Sequence, residues 1–416
     1  MALSLSDPLG LPCGTRLQNR IAKAAMSEGL ADADNHATPR FETLYRRWAG
    51  SGAGLLLSGN IQVDPQHLER AGNVVATEDG LPALSRLASA GTSNGAQFWA
   101  QLSHTGRQVI DAINPSPLSP SDVAIDVVRG AGYSFAKPRT MSETEIDTAI
   151  GQFAVSAALV KKAGFTGVEL HGAHGYLISQ FLSPLANRRA DRWGGSLGNR
   201  ARFLLATIAA VRDAVGKDFP IGLKLNSSDF QRGGFSFEEC LEVVRMLNAS
   251  TLDLLEISGG SLEQPKVVGV AVKDEGEDGR RTGTSRREAY FIELAGAVRA
   301  IAGMPLMVTG GFRSVTAMQE ALRNHELDVV GIGRPIIADP MTPAKLLSGE
   351  LQEAAAPERN ISLFHLLAWF NLQMERLADG LDPDPTLTGE AAAKAFVPLE
   401  TQNIRALLAR RAALAT

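Results

Sequence analysis

Short apolar runs alternate along the chain with longer segments in which apolar residues recur at helical spacing. Each run has the length of a buried strand, and a repeated strand-then-helix order is typical of parallel strands joined by crossover helices. The eight runs are RIAKAAM (20–26), GLLLSGN (54–60), AQFWAQL (96–102), GVELHGA (167–173), FPIGLKLN (219–226), LDLLEIS (252–258), MPLMVTG (304–310) and LDVVGIG (327–333). Eight strand–helix units predict an α/β fold, a single (β/α)8 TIM barrel.

Three helix starts have a serine followed three residues later by a glutamate. This spacing is that of a capping box, in which each side chain bonds to the other residue's backbone N–H. The three pairs are Ser142 with Glu145, Ser236 with Glu239, and Ser285 with Glu288.

Two connections are longer than ordinary turns. Residues 103–140 contain NPSPLSPSD, and residues 261–284 contain KDEGEDGRRTG. Both follow a barrel strand, so we expect both at the C-terminal face, where the loops of such barrels build the active site. The charge density of the second leaves two interpretations open, a solvated surface loop or a lid.

Past residue 345 the alternation stops. The segments ISLFHLLAWFNLQMERLADG and ETQNIRALLARRAALAT read as helices, so we divide the chain into a catalytic barrel (1–345) and a helical C-terminal extension (346–416). Arg405, Arg410 and Arg411 in the second segment suit a partner surface or a solvated helix face, and we favour the solvated face.

Composition narrows the class of protein. The 416 residues carry a formal charge of -4 and only two cysteines, which argues against nucleic-acid binding, a disulfide scaffold and thiolate metal sites. The N-terminus lacks a basic segment before an apolar stretch, and no apolar run approaches the ~18 residues of a membrane span. We expect a cytoplasmic protein with a small-molecule partner and neither a nucleic-acid nor a membrane partner; a homo-oligomer is left open.

The last two strands end in glycine with an arginine close behind. Barrels of this kind hold phosphate there, because glycine lets backbone N–H groups approach the anion and arginine binds it bidentately. The residues concerned are Gly310, Gly311 and Arg313 after the seventh strand and Gly333 and Arg334 after the eighth. The alternative is that the glycines only make tight turns.

Other polar residues fall at strand ends on the same face. Lys224 in GLKLNSSD lies among apolar residues, where its charge needs an anion, either a ligand or a structural salt-bridge partner. Ser27, Asn60 and Gln101 are each weak signals alone.

The stretch VELHGAHGYLISQFLSP follows the fourth strand and contains His171, His174 and Tyr176. A zinc site would need a third ligand. We expect Glu169 to alternate away from His171 on the strand, and no cysteine lies near, so we assign no metal. Buried core histidines remain an alternative. The interpretation that uses all three residues has two imidazole N–H donors polarising a substrate oxygen while Tyr176 serves as a proton donor.

The segment HGAHGYLISQFLSPLANRRADRWGGSLGNRARFL resembles the signature of the Old Yellow Enzyme family of FMN-dependent NAD(P)H:flavin oxidoreductases, or ene-reductases. The resemblance runs through NRIAKAAMSEG, AQLSHTGRQ, PLSPSDV, PRTMSETEI, LKLNSSDF, LDLLEISGG and VVGIGRP, and so covers about residues 9–345 in order.

The resemblance implies a role for each residue. Ala25, Met26 and Ser27 would line the flavin, with Asn60 among its neighbours, Gln101 at its pyrimidine end and Lys224 by N1 and O2; Gly310, Gly311, Gly333 and Arg334, with Arg313 near, would hold its phosphate. His171 and His174 would bind the substrate oxygen, and Tyr176 would deliver the proton. NADPH or NADH would be the reductant.

The chain also departs from the family pattern. Lys224 stands where many relatives carry arginine, Ser27 where they carry threonine or cysteine, and no proline precedes Met26. Gly59 and Asn60 replace an acidic residue followed by a small one. We expect these changes to tune the flavin potential and to alter its neighbours without abolishing binding.

We therefore predict an ene-reductase that reduces C=C bonds conjugated to a carbonyl or nitro group. One rival is the same fold run oxidatively, as in amine-demethylating relatives. The other is a non-redox phosphate-binding barrel, an aldolase or isomerase, with Lys224 as base or Schiff-base amine.

Overall fold

The chain forms a closed barrel of eight parallel strands in a computed structural model that describes residues 3–125, 134–259 and 294–414. The strands are β1 (Ile21–Lys23), β2 (Leu55–Gln62), β3 (Gln97–Ser103), β4 (Gly167–Gly172), β5 (Ile221–Asn226), β6 (Leu254–Ser258), β7 (Leu306–Thr309) and β8 (Val329–Ile332). Strand β8 pairs with β1 and β1 pairs with β2, which closes the barrel. The eight predicted strands and the predicted fold are confirmed.

A layer of apolar side chains fills the barrel below its mouth. Its fully buried members include Ala22, Leu55, Trp99, Leu254 and Met307. The Trp99 indole fits because two facing positions are glycine. A Cβ added at Gly167 would lie 2.5 Å from Trp99 Cδ1, and one at Gly222 would lie 3.1 Å from its ring.

Helices cover the outside of the barrel. They are α1 (Pro39–Ala49), α2 (Leu81–Gly91), α3 (Glu143–Ala163), α4 (Leu177–Leu182), α5 (Leu197–Val215), α6 (Phe237–Leu247), α7 (Val315–Arg323), α8 (Arg334–Ala338) and α9 (Thr342–Ser348), together with residues 294–299. The capping boxes predicted at Ser142 and Ser236 are both present at the starts of α3 and α6. Ser285 and Glu288 lie outside the described residues, as does the 261–284 connection.

The C-terminal segment consists of a 3-10 turn (Pro357–Asn360), α10 (Leu363–Ala378) and α11 (Gly389–Leu414). Helix α10 packs against α1 of the barrel and against α11. Two of the three arginines for which we favoured a solvated face are held by the barrel. Arg410 Nε donates to Asp34 at 2.6 Å, and Arg411 Nη1 donates to the Ile113 carbonyl at 2.9 Å. A domain boundary at residue 345 stays a prediction.

None of the helices in the described part of the chain combines the length and apolar character that a membrane crossing requires.

Candidate active site

Neighbouring strands bring polar side chains into one layer near their carboxyl ends. In the parallel register Asn60 on β2 lies beside Gln101 on β3, and Gln101 lies beside Glu169 on β4. His171 on β4 lies beside Lys224 on β5. All five side chains are buried. The structure thus places these predicted site residues together at the mouth of the barrel, with Glu169, which the sequence analysis did not assign to the site.

His171, His174 and Tyr176 form a compact group just beyond β4. The His171 ring meets the His174 ring with centroids 5.0 Å apart and planes at 81°, and it meets the Tyr176 ring at 4.7 Å and 88°. The chain can turn this sharply because His174 and Gly175 both adopt left-handed backbone conformations, with φ of 60° and 78°. The predicted convergence of the three side chains is therefore present, while their roles stay a prediction.

Both imidazoles of this group are neutral at pH 7. Burial, with the charges of His174 and Lys224, holds the pKa of His171 well below its ordinary value. Burial and the Lys224 charge lower the pKa of His174 to about 3. Nδ1 of His171 accepts from the Ala173 backbone N–H at 3.3 Å, so its ring proton is on Nε2. An imidazole N–H of this kind can donate to a substrate oxygen. In His174, Nε2 already pairs with Ser258 Oγ at 2.8 Å.

The positive charge of Lys224 is paired with a carboxylate of the protein itself. Its Nζ lies 2.9 Å from Glu256 Oε1, and both side chains are buried. Burial lowers the pKa of Lys224, but Glu256 and Glu169 outweigh burial and raise it, so the lysine stays charged. Burial and the Glu256 charge raise the pKa of Glu169 well above its ordinary value. Gln101 Nε2 donates to Glu169 at 2.6 Å.

The salt-bridge alternative for Lys224 is therefore what the structure shows, and Glu256 neutralises much of the lysine charge. Glu169 stands two residues before His171 on β4, and residues two apart point to the same face of a strand. The expectation that Glu169 points away from His171 is therefore wrong.

A second polar group lies where β1 and β2 end. Ser27 Oγ donates to Glu69 Oε2 at 2.5 Å, and Asn60 Nδ2 donates to the same carboxylate oxygen at 2.9 Å. Asn60 Nδ2 also lies 3.5 Å from the Tyr176 hydroxyl. Ser27 and Asn60 were predicted site residues, whereas Glu69 was not, because it lies in the loop after β2 with no motif to mark it.

Ala25 and Met26 are half-buried between this group and the end of β8. A Cβ added at Gly333 would lie 3.5 Å from Met26 Sδ, so these two predicted residues are neighbours.

The glycines and arginines after β7 and β8 also come together. Gly310 and Gly311 have φ of 127° and 79°, which residues with a side chain rarely adopt. Arg313 Nη2 donates to the Glu358 carboxylate, and Arg334 Nη1 lies 3.8 Å from the same oxygen. Both arginines thus lie beside the Glu358 carboxylate of the C-terminal segment. Their binding of a phosphate stays a prediction.

Lys23 is a buried cation that the sequence analysis passed over. Its Nζ donates to the Leu57 carbonyl at 2.6 Å and lies 4.3 Å from the centre of the Trp48 ring. Burial lowers the pKa of Lys23 to about 7. The Lys23 side chain packs on the outer side of β1, against the first helix, and not at the mouth of the barrel.

Within the described ranges, one cluster has metal-ligand side chains within reach of one another: Asp64, His67 and His104. His67 Nε2 accepts from the Leu118 N–H at 2.9 Å, so its Nδ1 carries the proton and donates to Asp64 at 3.0 Å. His104 Nδ1 likewise accepts from the Gly106 N–H at 3.0 Å. Both nitrogens that face Asp64 therefore carry protons, which a metal ligand must lack. In this cluster His67 donates to Asp64 and His104 Nε2 lies 3.7 Å from the same carboxylate, and we assign no metal to it.

The residues at the mouth fit FMN. The left-handed turn at Gly310 and Gly311 leaves no side chain where a phosphate would approach the backbone. Oδ1 of Asn60 and Oγ of Ser227 are buried and lack a hydrogen-bond partner among the residues that the structure describes. Such polar atoms need a partner, which the polar edge of a bound flavin or a substrate would supply.

Comparison with known proteins identifies relatives of this chain. The model of the NADH:flavin oxidoreductase / NADH oxidase family matches residues 4–353. The NADH-dependent flavin oxidoreductase nadA of Aspergillus parasiticus is 34% identical over 397 residues, which cover 91% of this chain and 87% of that protein. The NADH-dependent flavin oxidoreductase iliE of Neonectria sp. is 35% identical over 82% of this chain, but the match spans only 46% of that longer relative.

Solved structures of similar fold are also found. The 2-naphthoyl-CoA reductase in complex with 2-naphthoyl-CoA is 28% identical, with a TM-score of 0.77 over 91% of this chain and 58% of that one. The old yellow enzyme homologue from Zymomonas mobilis has a TM-score of 0.70 over 86% of this chain and 96% of that one. At 23% identity the second likeness shows the fold alone.

Proposed function

The chain belongs to the NADH:flavin oxidoreductase / NADH oxidase family, whose members are FMN-dependent oxidoreductases, and we propose that it is an ene-reductase. It would use NADH or NADPH to reduce C=C bonds conjugated to a carbonyl or nitro group. One observation carries the proposal: the neutral imidazoles of His171 and His174 and the ring of Tyr176 lie in contact at the barrel mouth.

FMN, when bound, would supply the hydride that the β-carbon of the alkene accepts. The residues that would hold it are Ala25, Met26, Ser27, Asn60, Gln101, Lys224, Gly310, Gly311, Arg313, Gly333 and Arg334. Because Lys224 is paired with Glu256, this pair brings less net positive charge to the site than an unpaired cation would.

His171 and His174 would bind the carbonyl or nitro oxygen of the alkene. Negative charge develops on that oxygen as the β-carbon is reduced, and donors already fixed in place stabilise it without reorganising. Removing one such donor typically costs ~10² to 10³ in rate. The neutral state of both rings, which follows from their burial, leaves their protons for hydrogen bonding rather than for acid catalysis.

Tyr176 would deliver the proton to the α-carbon. Its side chain is 9% exposed and edges against the His171 ring, so a substrate oxygen held by the imidazoles would lie near the hydroxyl. A tyrosine is protonated at neutral pH, since its unperturbed pKa is about 10.

The rival functions have less support. A Schiff-base or general-base lysine must lose its proton, whereas Glu256 and Glu169 raise the pKa of Lys224. An oxidative amine site has little use for two oxygen-polarising donors and a proton donor.

Anaerobic incubation with NADH or NADPH and a cyclic enone, a nitroalkene or a maleimide tests the proposal. We expect a saturated product formed in proportion to nicotinamide consumed, and we expect His171→Ala and His174→Ala to weaken phenol binding to the oxidised protein. Nicotinamide oxidation without alkene loss, together with undiminished phenol binding by both variants, would contradict it.

A further inference from the structure

A carboxylate outside the family signature lies next to the proposed proton donor. Glu69 accepts hydrogen bonds from Ser27 Oγ at 2.5 Å and from Asn60 Nδ2 at 2.9 Å. The Asn60 nitrogen also lies 3.5 Å from the Tyr176 hydroxyl oxygen. Glu69 therefore reaches Tyr176 through a single intervening side chain.

The carboxylate determines which way the Asn60 amide points. Glu69 Oε2 accepts from both Ser27 Oγ and Asn60 Nδ2, so turning the amide over would set the Asn60 oxygen against a carboxylate oxygen. The amide nitrogen must therefore face both Glu69 and Tyr176. One amide hydrogen faces Glu69 Oε2 and Ser27 Oγ, which lie 2.9 and 3.2 Å from the nitrogen and 2.5 Å from each other. The second then faces the phenolic oxygen, and the proton of Tyr176 is left for another acceptor. A distance of 3.5 Å is long, but catalytic hydrogen bonds often shorten only when substrate binds.

The loop that carries Glu69 is fastened to the C-terminal helices by the next residue. Arg70 is buried, and its Nη2 lies 2.7 Å from the Glu400 carboxylate of α11. It also donates to Asn371 of α10 and, at 3.3 Å, to the Ser27 carbonyl. The C-terminal segment thereby holds both Glu69 and Ser27 in place.

We propose that Glu69 is a positioning residue that orients the Asn60 amide toward Tyr176. This inference rests on the proposed function of Tyr176 as proton donor. The amide N–H stabilises the phenolate that remains when Tyr176 gives up its proton, and that stabilisation is greatest after the transfer. Without Glu69 the amide is free to turn its oxygen toward the phenol, which removes the donor.

Four variants test the proposal: Glu69→Leu, Asn60→Leu, the double variant, and Glu69→Gln. Glu69→Leu and Asn60→Leu should each lower the ratio of the alkene half-reaction rate to the flavin-reduction rate by about tenfold. Because Glu69 acts through Asn60, the double variant should lose no more than Asn60→Leu alone. Glu69→Gln keeps an oxygen that accepts from Asn60 and should recover most of the loss.

A second readout requires no catalysis. The chain has four tyrosines, so ring-labelled [13Cζ]tyrosine gives four NMR signals, and Tyr176→Phe identifies one of them. In the FMN-loaded protein without substrate, Tyr176 should titrate about one pH unit higher in Asn60→Leu than in the wild type. It should also titrate higher in Glu69→Leu than in Glu69→Gln, because both variants lose the carboxylate charge but only Gln keeps an acceptor for the amide. Glu78→Leu removes an exposed carboxylate that pairs with Lys162 on the barrel surface, and it should leave the Tyr176 titration unchanged.

Additive losses in the double variant, or the same Tyr176 titration in Glu69→Leu and Glu69→Gln, would overturn the positioning role. A wild type that reduces no alkene, or a Tyr176→Phe variant as active as the wild type, would instead overturn the proposed function. The NMR titration can still succeed in that case, so the two failures are distinguishable.

Discussion

Replacing Arg70 by methionine should destabilise the protein far more than removing an arginine from an ion pair on the surface. Arg70 is 5% exposed and binds Glu400 at 2.7 and 3.1 Å, the Asn371 side chain, and the Ser27 and Glu28 carbonyls at 3.3 Å. Methionine can keep the apolar part of the packing, but it donates no hydrogen bond.

The magnitude follows from burial. Removing one partner of a buried ion pair costs about 3–5 kcal/mol, because the remaining charge stays desolvated without compensation. Glu400, whose side chain is 14% exposed, is that remaining charge. Arg410→Met is the matched control, since Arg410 joins the same helix to Asp34 of the barrel with both side chains about 40% exposed (42% and 38%). An exposed pair of this kind contributes less than about 1 kcal/mol.

Urea unfolding at a fixed, saturating FMN concentration measures both effects. Tryptophan fluorescence and far-UV circular dichroism should be followed together, because coincident transitions justify a single free energy of unfolding. We expect Arg70→Met to lose at least about 2 kcal/mol more than Arg410→Met. We infer that the buried Arg70–Glu400 ion pair, and not the pairs on the surface, holds the C-terminal helices on the barrel. An equal decrease in the free energy of unfolding in the two variants would refute this.

Three further predictions follow from the site and its surroundings. Glu358→Gln removes the carboxylate that Arg313 and Arg334 share, so both arginines can bind the FMN phosphate. Titration of the apoprotein should show that the variant binds FMN more tightly than the wild type, and that this difference in affinity decreases at high salt; weaker binding would contradict the prediction. Burial lowers the pKa of His104 to about 4, so between pH 6.5 and 4 only the unfolded chain takes up this proton, and the free energy of unfolding decreases as the pH is lowered through this range. His104→Gln should reduce that pH dependence by up to about 1.4 kcal/mol per pH unit in urea titrations, and an unchanged dependence would contradict it. Gly167→Ala sets a methyl group against Trp99 and should cost about 1–3 kcal/mol, and an unchanged denaturation midpoint would show that the indole can move.

The strands and the His171–Tyr176 group were predictable because their signals are local. A buried strand is an unbroken apolar run, and three residues at one strand end stay close in space whatever the remainder of the chain does. The glycine–arginine turns after β7 and β8 are adjacent for the same reason, since parallel barrel strands end at one face.

The remaining contacts join residues that no local pattern connects. Ser27 and Glu69 are 42 residues apart, and Arg70 and Glu400 are 330 apart. Arg410 and Arg411 show the same limit. A basic stretch near the end of a helix is compatible with solvent or with a partner, and only the packed structure reveals that both side chains bind the barrel.

The most direct test of the account measures the two half-reactions of Tyr176→Phe separately by rapid mixing under anaerobic conditions. If Tyr176 delivers the proton, flavin reduction by NADH keeps the wild-type rate, while reoxidation of the flavin by a cyclic enone slows by ~10² to 10⁴. An equal slowing of both half-reactions, or no slowing of the second, would contradict the assignment of Tyr176 as proton donor.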